Sequence, residues 1–92
     1  MPVTNAAATT WVTGQASPTA VRTRITVART KGRKITLLNY GNVTCYIGTD
    51  VVSTTIGIAL DPQASIDLEV QQAIYGITAS GTATIHWSEV YG

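Results

Sequence analysis

A single cysteine, a single histidine and a charged fraction of only 12% leave this 92-residue chain poor in the side chains from which reactive sites are built. Cys45 has no intramolecular partner for a disulfide, and in the alternating run Val43, Cys45, Ile47 it reads as a buried thiol behaving as a small hydrophobe. With His86 as the one imidazole, zinc sites and Cys–His catalytic arrangements cannot be assembled within one chain. His86 itself falls on the outer face of a strand, where a solvated or interface role is expected. Asp67 and Glu69 share a strand face, yet nothing near them in sequence would split their pKa values, so they read as a polar exterior rather than an acid/base pair. Gly41, Gly48, Gly57, Gly76 and Gly81 scatter over turns and strand ends, with no glycine-rich loop ahead of a helix to cradle phosphate. The expectation is a chain that is not an enzyme and has no catalytic residues, cofactor or metal. No basic segment followed by an apolar run opens the sequence, and no apolar stretch is long enough to span a membrane. The protein is therefore expected to be made in a reducing cytosol and to stay soluble until it meets a partner.

What the chain does have is a hydrophobic fraction of 45%, enough to offset ordering entropy in one small domain. Six basic and five acidic side chains give little charge to cover the exterior, so part of the surface is expected to be covered by another chain. The charges also segregate: Arg22, Arg24, Arg29, Lys31, Arg33 and Lys34 fall in one short stretch, and Asp50, Asp61, Asp67, Glu69 and Glu89 all come later. A net charge of +1 argues against general nucleic-acid binding, which needs a basic field. The basic run reads instead as a salt-bridging face toward acidic protein.

Residues 1–19 are small, polar and uncharged, and Ser17-Pro18 closes them, which disfavours helix; they read as an extended N-terminal arm. Its bulky apolar residues are Trp11 and Val12. Trp11 either packs on the chain's own core or anchors the arm on a neighbouring subunit. Residues 20–92 read as a β domain. Val21, Thr23, Ile25 and Val27 alternate with Arg22, Arg24, Thr26 and Ala28, a turn follows at 30–33, and Lys34-Ile35-Thr36-Leu37-Leu38 is expected to run back as a hairpin. Asn39-Tyr40-Gly41-Asn42 leads to a second expected hairpin, with Val43, Cys45 and Ile47 on one face. Residues 49–60 suggest a short strand or bulged loop. After the turn Asp61-Pro62-Gln63-Ala64-Ser65, Ile66, Leu68 and Val70 alternate with Asp67 and Glu69. A last hairpin is expected over 74–87, with Ala83, Ile85 and Trp87 on one face and Glu89-Val90-Tyr91-Gly92 extending it. Short strands at this spacing, with no helical period, predict an all-β fold: a small antiparallel β-sandwich, jelly-roll-like, with the arm attached. Its exposed edges predict an oligomer.

The ordered set Lys34-Ile35-Thr36-Leu37-Leu38-Asn39, Val43-Thr44-Cys45-Tyr46-Ile47-Gly48, Val51-Val52-Ser53-Thr54-Thr55, Ala59-Leu60-Asp61-Pro62, Ile66-Asp67-Leu68, Ala73-Ile74-Tyr75-Gly76-Ile77 and Ala79-Ser80-Gly81-Thr82-Ala83-Thr84 covers about two thirds of the chain. It resembles a pattern recurring among small bacteriophage virion proteins of the capsid decoration, or cement, and head-associated kind. Asp61-Pro62-Gln63 departs from the glycine-rich turn more usual in that pattern. The resemblance implies a compact β-sandwich, often trimeric, that attaches to a shell of major capsid protein and reinforces it. Such a protein would be found on the capsid surface of the virion and made in the host cytoplasm. The residues expected at the capsid or subunit interface are Trp11, Val12, Arg22, Arg24, Arg29, Lys31, Arg33 and Lys34. Two alternatives stand beside this one. The first is a tail- or fibre-associated module binding host carbohydrate through Trp11, Tyr40, Tyr46 or Tyr91; the second is a single-stranded nucleic-acid binder using the basic run.

Overall fold

The computed structural model describes residues 10–92. These form eight strands: β1 Thr10–Ala16, β2 Thr23–Thr26, β3 Arg33–Asn39, β4 Cys45–Gly48, β5 Ile58–Leu60, β6 Ser65–Leu68, β7 Ile74–Ile77 and β8 Ile85–Tyr91. They assemble into two four-stranded sheets, ordered β1-β8-β3-β6 and β2-β7-β4-β5, and every pairing is antiparallel. Chain neighbours share a sheet only at β4–β5; each other connection passes from one sheet to the other. That strand order is the interleaved double Greek key of a jelly roll. The described residues contain no helix.

The all-β sandwich is as the alternation predicted, but the three expected hairpins are not. β2 and β3 lie in different sheets, as do β3 and β4, and β7 and β8. The sheets of a sandwich stand about 10 Å apart, a gap that a few extended residues span. The segments 40–44 and 78–84 do this, pinned by Tyr40 N–H donating to Thr84 O at 2.8 Å and Ala83 N–H donating to Pro18 O at 2.9 Å. Alternation says which side chains point inward; it is silent on whether the next strand returns beside its predecessor or opposite it.

Inward positions meet in one apolar core. Ile35, Leu37 and Ile85 come from the first sheet and Ile25, Cys45, Ile47, Leu60 and Ile74 from the second, with Ala83 at the crossing. Each fully buried aliphatic side chain stabilises the fold by about 1.5–3 kcal/mol. β2 is shorter than its sequence pattern suggested. A register shift between Arg24 and Thr26 ends the alternation, so Thr26 is buried beside Ile25 and Val21 and Val27 are exposed. Between β5 and β6, Pro62 and Gln63 occupy the corners of a turn closed by Ala64 N–H to Asp61 O at 3.0 Å. Gln63 takes the left-handed conformation there, φ 68°, that glycine adopts at no steric cost.

The expected arm is extended where it is described, and it is part of the sandwich. Thr10–Ala16 pair along β8 from Thr10–Tyr91 to Ala16–Ile85 as the edge strand of the first sheet. Residues 1–9 lie outside the described residues. Gly14 in this strand is placed against the Trp87 indole, 2.4 Å from where a β-carbon would stand, so only glycine lets the ring lie beneath the edge.

Cys45 is fully buried, and burial pushes its thiol up to about 11, partly offset by a backbone hydrogen bond from Ile77. Native protein at neutral pH is therefore expected to resist thiol reagents until denaturant is added. Rapid labelling of the folded chain would contradict this placement.

Candidate interaction surfaces

The basic stretch does not present one charged face. Arg33 belongs to the inward row of β3, where Ile35, Leu37 and Asn39 follow it, and its side chain is fully buried. Its guanidinium donates through Nε to Val70 O at 2.8 Å, through Nη1 to Val27 O at 2.7 Å and to Glu89, and through Nη2 to Gln72 O at 2.6 Å. Arg29 adds a fork onto the same carboxylate, at 3.2 Å and 2.9 Å, and its guanidinium lies 4.5 Å from the centre of the Tyr91 ring. Arg33, expected at an interface, is therefore an internal tie joining the β2–β3 and β6–β7 connections to β8, and Arg29, also expected there and still partly exposed, is tied to the same carboxylate. Burial pushes the Glu89 carboxyl up, but the hydrogen bonds from Arg29 and Arg33 and the charges of the two guanidiniums together outweigh it and hold the group below its ordinary value. Glu89 raises the Arg29 guanidinium in turn, against a smaller opposing effect of burial. The sequence did carry a signal for Glu89: in the alternation Ile85, Trp87, Glu89 the carboxylate falls on the inward side.

The remaining candidates disperse. Trp11 is 73% exposed, which rules out its packing on the core, and Val12 is half-buried on the inward side of β1. Arg24, Lys31 and Lys34 are exposed, as is Arg22, which donates to Asp50 O at the start of the β4–β5 loop. Tyr91 is engaged by Arg29.

Two outer faces remain, and they differ in chemistry. On the second sheet the register aligns Arg24 with Tyr75, and Ile77 with Tyr46 and Ala59, giving an aromatic and aliphatic face with a cation at its β2 edge. The β4–β5 loop continues it. Val52 is buried against Gly48 and Gly57, where an added β-carbon would meet its Cγ2 at 2.9 Å and 2.7 Å. This fixes the loop, while Val51 and Ile56 beside Val52 stay 60% and 59% exposed. Ile58 pairs with buried Ile47 and so points between the sheets, yet β5 is an edge with nothing beyond it, and half of Ile58 is uncovered. Tyr and Arg with aliphatic neighbours is the composition enriched at protein–protein contacts.

The outer face of the first sheet is uncharged over most of its area and rich in hydroxyls. Its rows are Trp11–Val90–Lys34, Thr13–Ser88–Thr36–Asp67 and Gln15–His86–Leu38–Ser65. Trp11 Nε1 donates to Ser88 Oγ at 2.7 Å, and Thr36 Oγ1 donates to Asp67 Oδ1 at 2.7 Å. Tyr40, one residue beyond β3, stacks on His86 with ring centres 4.9 Å apart. Asp67 is on this polar exterior, as its alternation indicated. Among the described residues, no three acidic, histidine or cysteine side chains come together as a metal site. No family model matches the sequence, and no curated protein matches it.

Proposed function

We propose that this chain is a structural protein of a bacteriophage virion that acts without catalysis: it binds the outside of the assembled capsid as a homotrimer and stabilises the shell. The observation that carries the reading is the apolar margin formed by Val51, Ile56 and Ile58 beside the Tyr46, Tyr75 and Ile77 face. A chain with so few charges leaves this surface uncovered when alone, and large exposed apolar patches mark interaction sites. The resemblance of the ordered strand motifs to those of decoration proteins suggests the kind of partner, major capsid protein together with further copies of this chain. Multivalency supplies the strength, since three weak contacts made at once raise avidity by about 10²–10⁴ without any new chemistry. Arg24, Lys31 and Lys34 are free to steer the approach to acidic capsid, an effect on rate and orientation more than on affinity.

Particles carrying the protein are expected to release DNA at a higher temperature than particles lacking it. The double variant Val51→Asp/Ile56→Asp, at two exposed loop positions, should remain folded by circular dichroism while losing about tenfold or more in particle occupancy. Equal release temperatures, or undiminished occupancy of the folded variant, would overturn the reading.

A further inference from the structure

The second sheet's face and margin leave the outer face of the first sheet unused, and that face carries two aromatic rings held in place without being buried. Trp11 lies along the sheet, its indole N–H committed to Ser88 Oγ at 2.7 Å, yet the residue is 73% exposed. Tyr40 is 60% exposed and is braced from one side by the His86 ring. Ordering a large side chain costs rotamer entropy, which burial normally repays; here two rings are ordered and left in water. They sit at opposite corners of the face. Lys34, on the row of Trp11, and Tyr40 are six residues apart along β3, about 20 Å in extended chain, and β1 and β3 flank β8, about 10 Å apart.

Between the rings runs a shallow depression of about 510 Å³, bordered by Thr13, Gln15, Thr36, Leu38, His86 and Ser88. Hydroxyls, an amide, an imidazole and the Asp67 carboxylate offer both donors and acceptors. Lys34 and Asp67 are the charged residues on the aligned rows, one of each sign, so the face has no field to hold a polyanion. From this we infer that the outer face of the first sheet is a binding site for an extended neutral oligosaccharide. Trp11 and Tyr40 would stack on sugar rings at its two ends, and the Thr13–Ser88–Thr36–Asp67 row would bond hydroxyls between them. The ligand class follows from the surface. A pyranose presents polarised C–H groups to the negative face of an aromatic ring and hydroxyls at its rim, whereas a protein partner would favour the apolar second sheet. Because the rings are already fixed, little further ordering is needed on binding.

The test uses the isotopically labelled protein titrated with neutral hexasaccharides of glucose, galactose and mannose, with amide and indole resonances followed by NMR. At least one sugar should bind, with shifts concentrated on Trp11, Thr13, Thr36, Tyr40 and His86. Trp11→Ala and Tyr40→Ala should each weaken that binding about tenfold while melting like the parent protein. The Val51→Asp/Ile56→Asp variant should bind sugar normally, so the site stands or falls separately from capsid attachment. The inference is overturned if none of the sugars binds, if the shifts map elsewhere, if both folded aromatic variants keep full affinity, or if this face is found covered by capsid protein on the particle.

Discussion

Arg33→Met is expected to destabilise the protein by about 3–5 kcal/mol, the usual result of removing one member of a buried ion pair. A domain of this size has roughly 5–14 kcal/mol in total, so much of that margin disappears. Two losses combine. Glu89 is left buried with Arg29 as its remaining cation, and the carbonyls of Val27, Val70 and Gln72 lose the donors that tie two inter-sheet connections together. Arg33→Lys should recover less than half of the loss, because an ammonium keeps the charge but cannot reproduce the planar fork that reaches four acceptors. Urea unfolding of the three proteins measures this directly. A midpoint for Arg33→Met within experimental error of the parent would show that the cluster contributes nothing. The same cluster sets the acid limit of the fold. Glu89 is held below its ordinary value of 4.5, so its contribution is complete above that pH and is lost as the pH falls through the lower folded-state value. The melting temperature of the parent protein should accordingly drop below about pH 4.5, and Glu89→Gln should flatten that drop while lowering stability at neutral pH.

Asn39→Asp is the second large effect, and its pH dependence has the opposite sign. Asn39 ends the inward row of β3, fully buried. Its Nδ2 donates to Val43 O and Leu60 O, both at 2.8 Å, and its Oδ1 accepts from Gly41 N–H at 3.0 Å. One side chain thus fastens the β3–β4 crossing and the end of β5. Aspartate has nearly the same shape, but it replaces a double donor with an oxygen facing two carbonyls. The cost is expected to be about 3 kcal/mol or more at neutral pH, as for an uncompensated buried polar group or charge. Burial and the facing carbonyls raise the folded-state pKa of the new carboxyl above its unfolded value of about 3.9. The deficit therefore appears above that unfolded value and grows until the pH passes the raised one, so acid should rescue this variant relative to the parent. Denaturant unfolding at pH 4 and pH 7 separates the outcomes; a deficit equal at both would mean that no charge is buried there.

These two residues also show where one-dimensional pattern stops. Read as an alternation, the row from Arg33 to Asn39 is a strand with a polar residue at each end, and polar ends suggest strand termini in solvent. In the folded chain both ends are sealed, one by a carboxylate from the far end of β8 and the other by carbonyls from the β3–β4 crossing and β5. Arg33 and Glu89 are 56 residues apart, and no local signal pairs them. Trp11 is a similar case: an aromatic in an uncharged segment announces a contact, but its exposure and its bond to Ser88 depend on β1 lying beside β8.

Residue identity alone was sufficient to assign the all-β class, the inward and outward sides of most strands, the burial of Cys45 and the placement of Asp67 on the exterior. Each of these follows from a side-chain period of two, which is a property of a few consecutive residues. Strand partners, the assignment of β2 and β7 to the opposite sheet from their chain neighbours and of β4 to the opposite sheet from β3, and the tying of Arg29 and Arg33 to Glu89 were settled only in three dimensions. Both a returning hairpin and a crossing connection satisfy the same alternation, and the choice between them rests on long-range packing and on which buried polar groups can find partners across the sandwich.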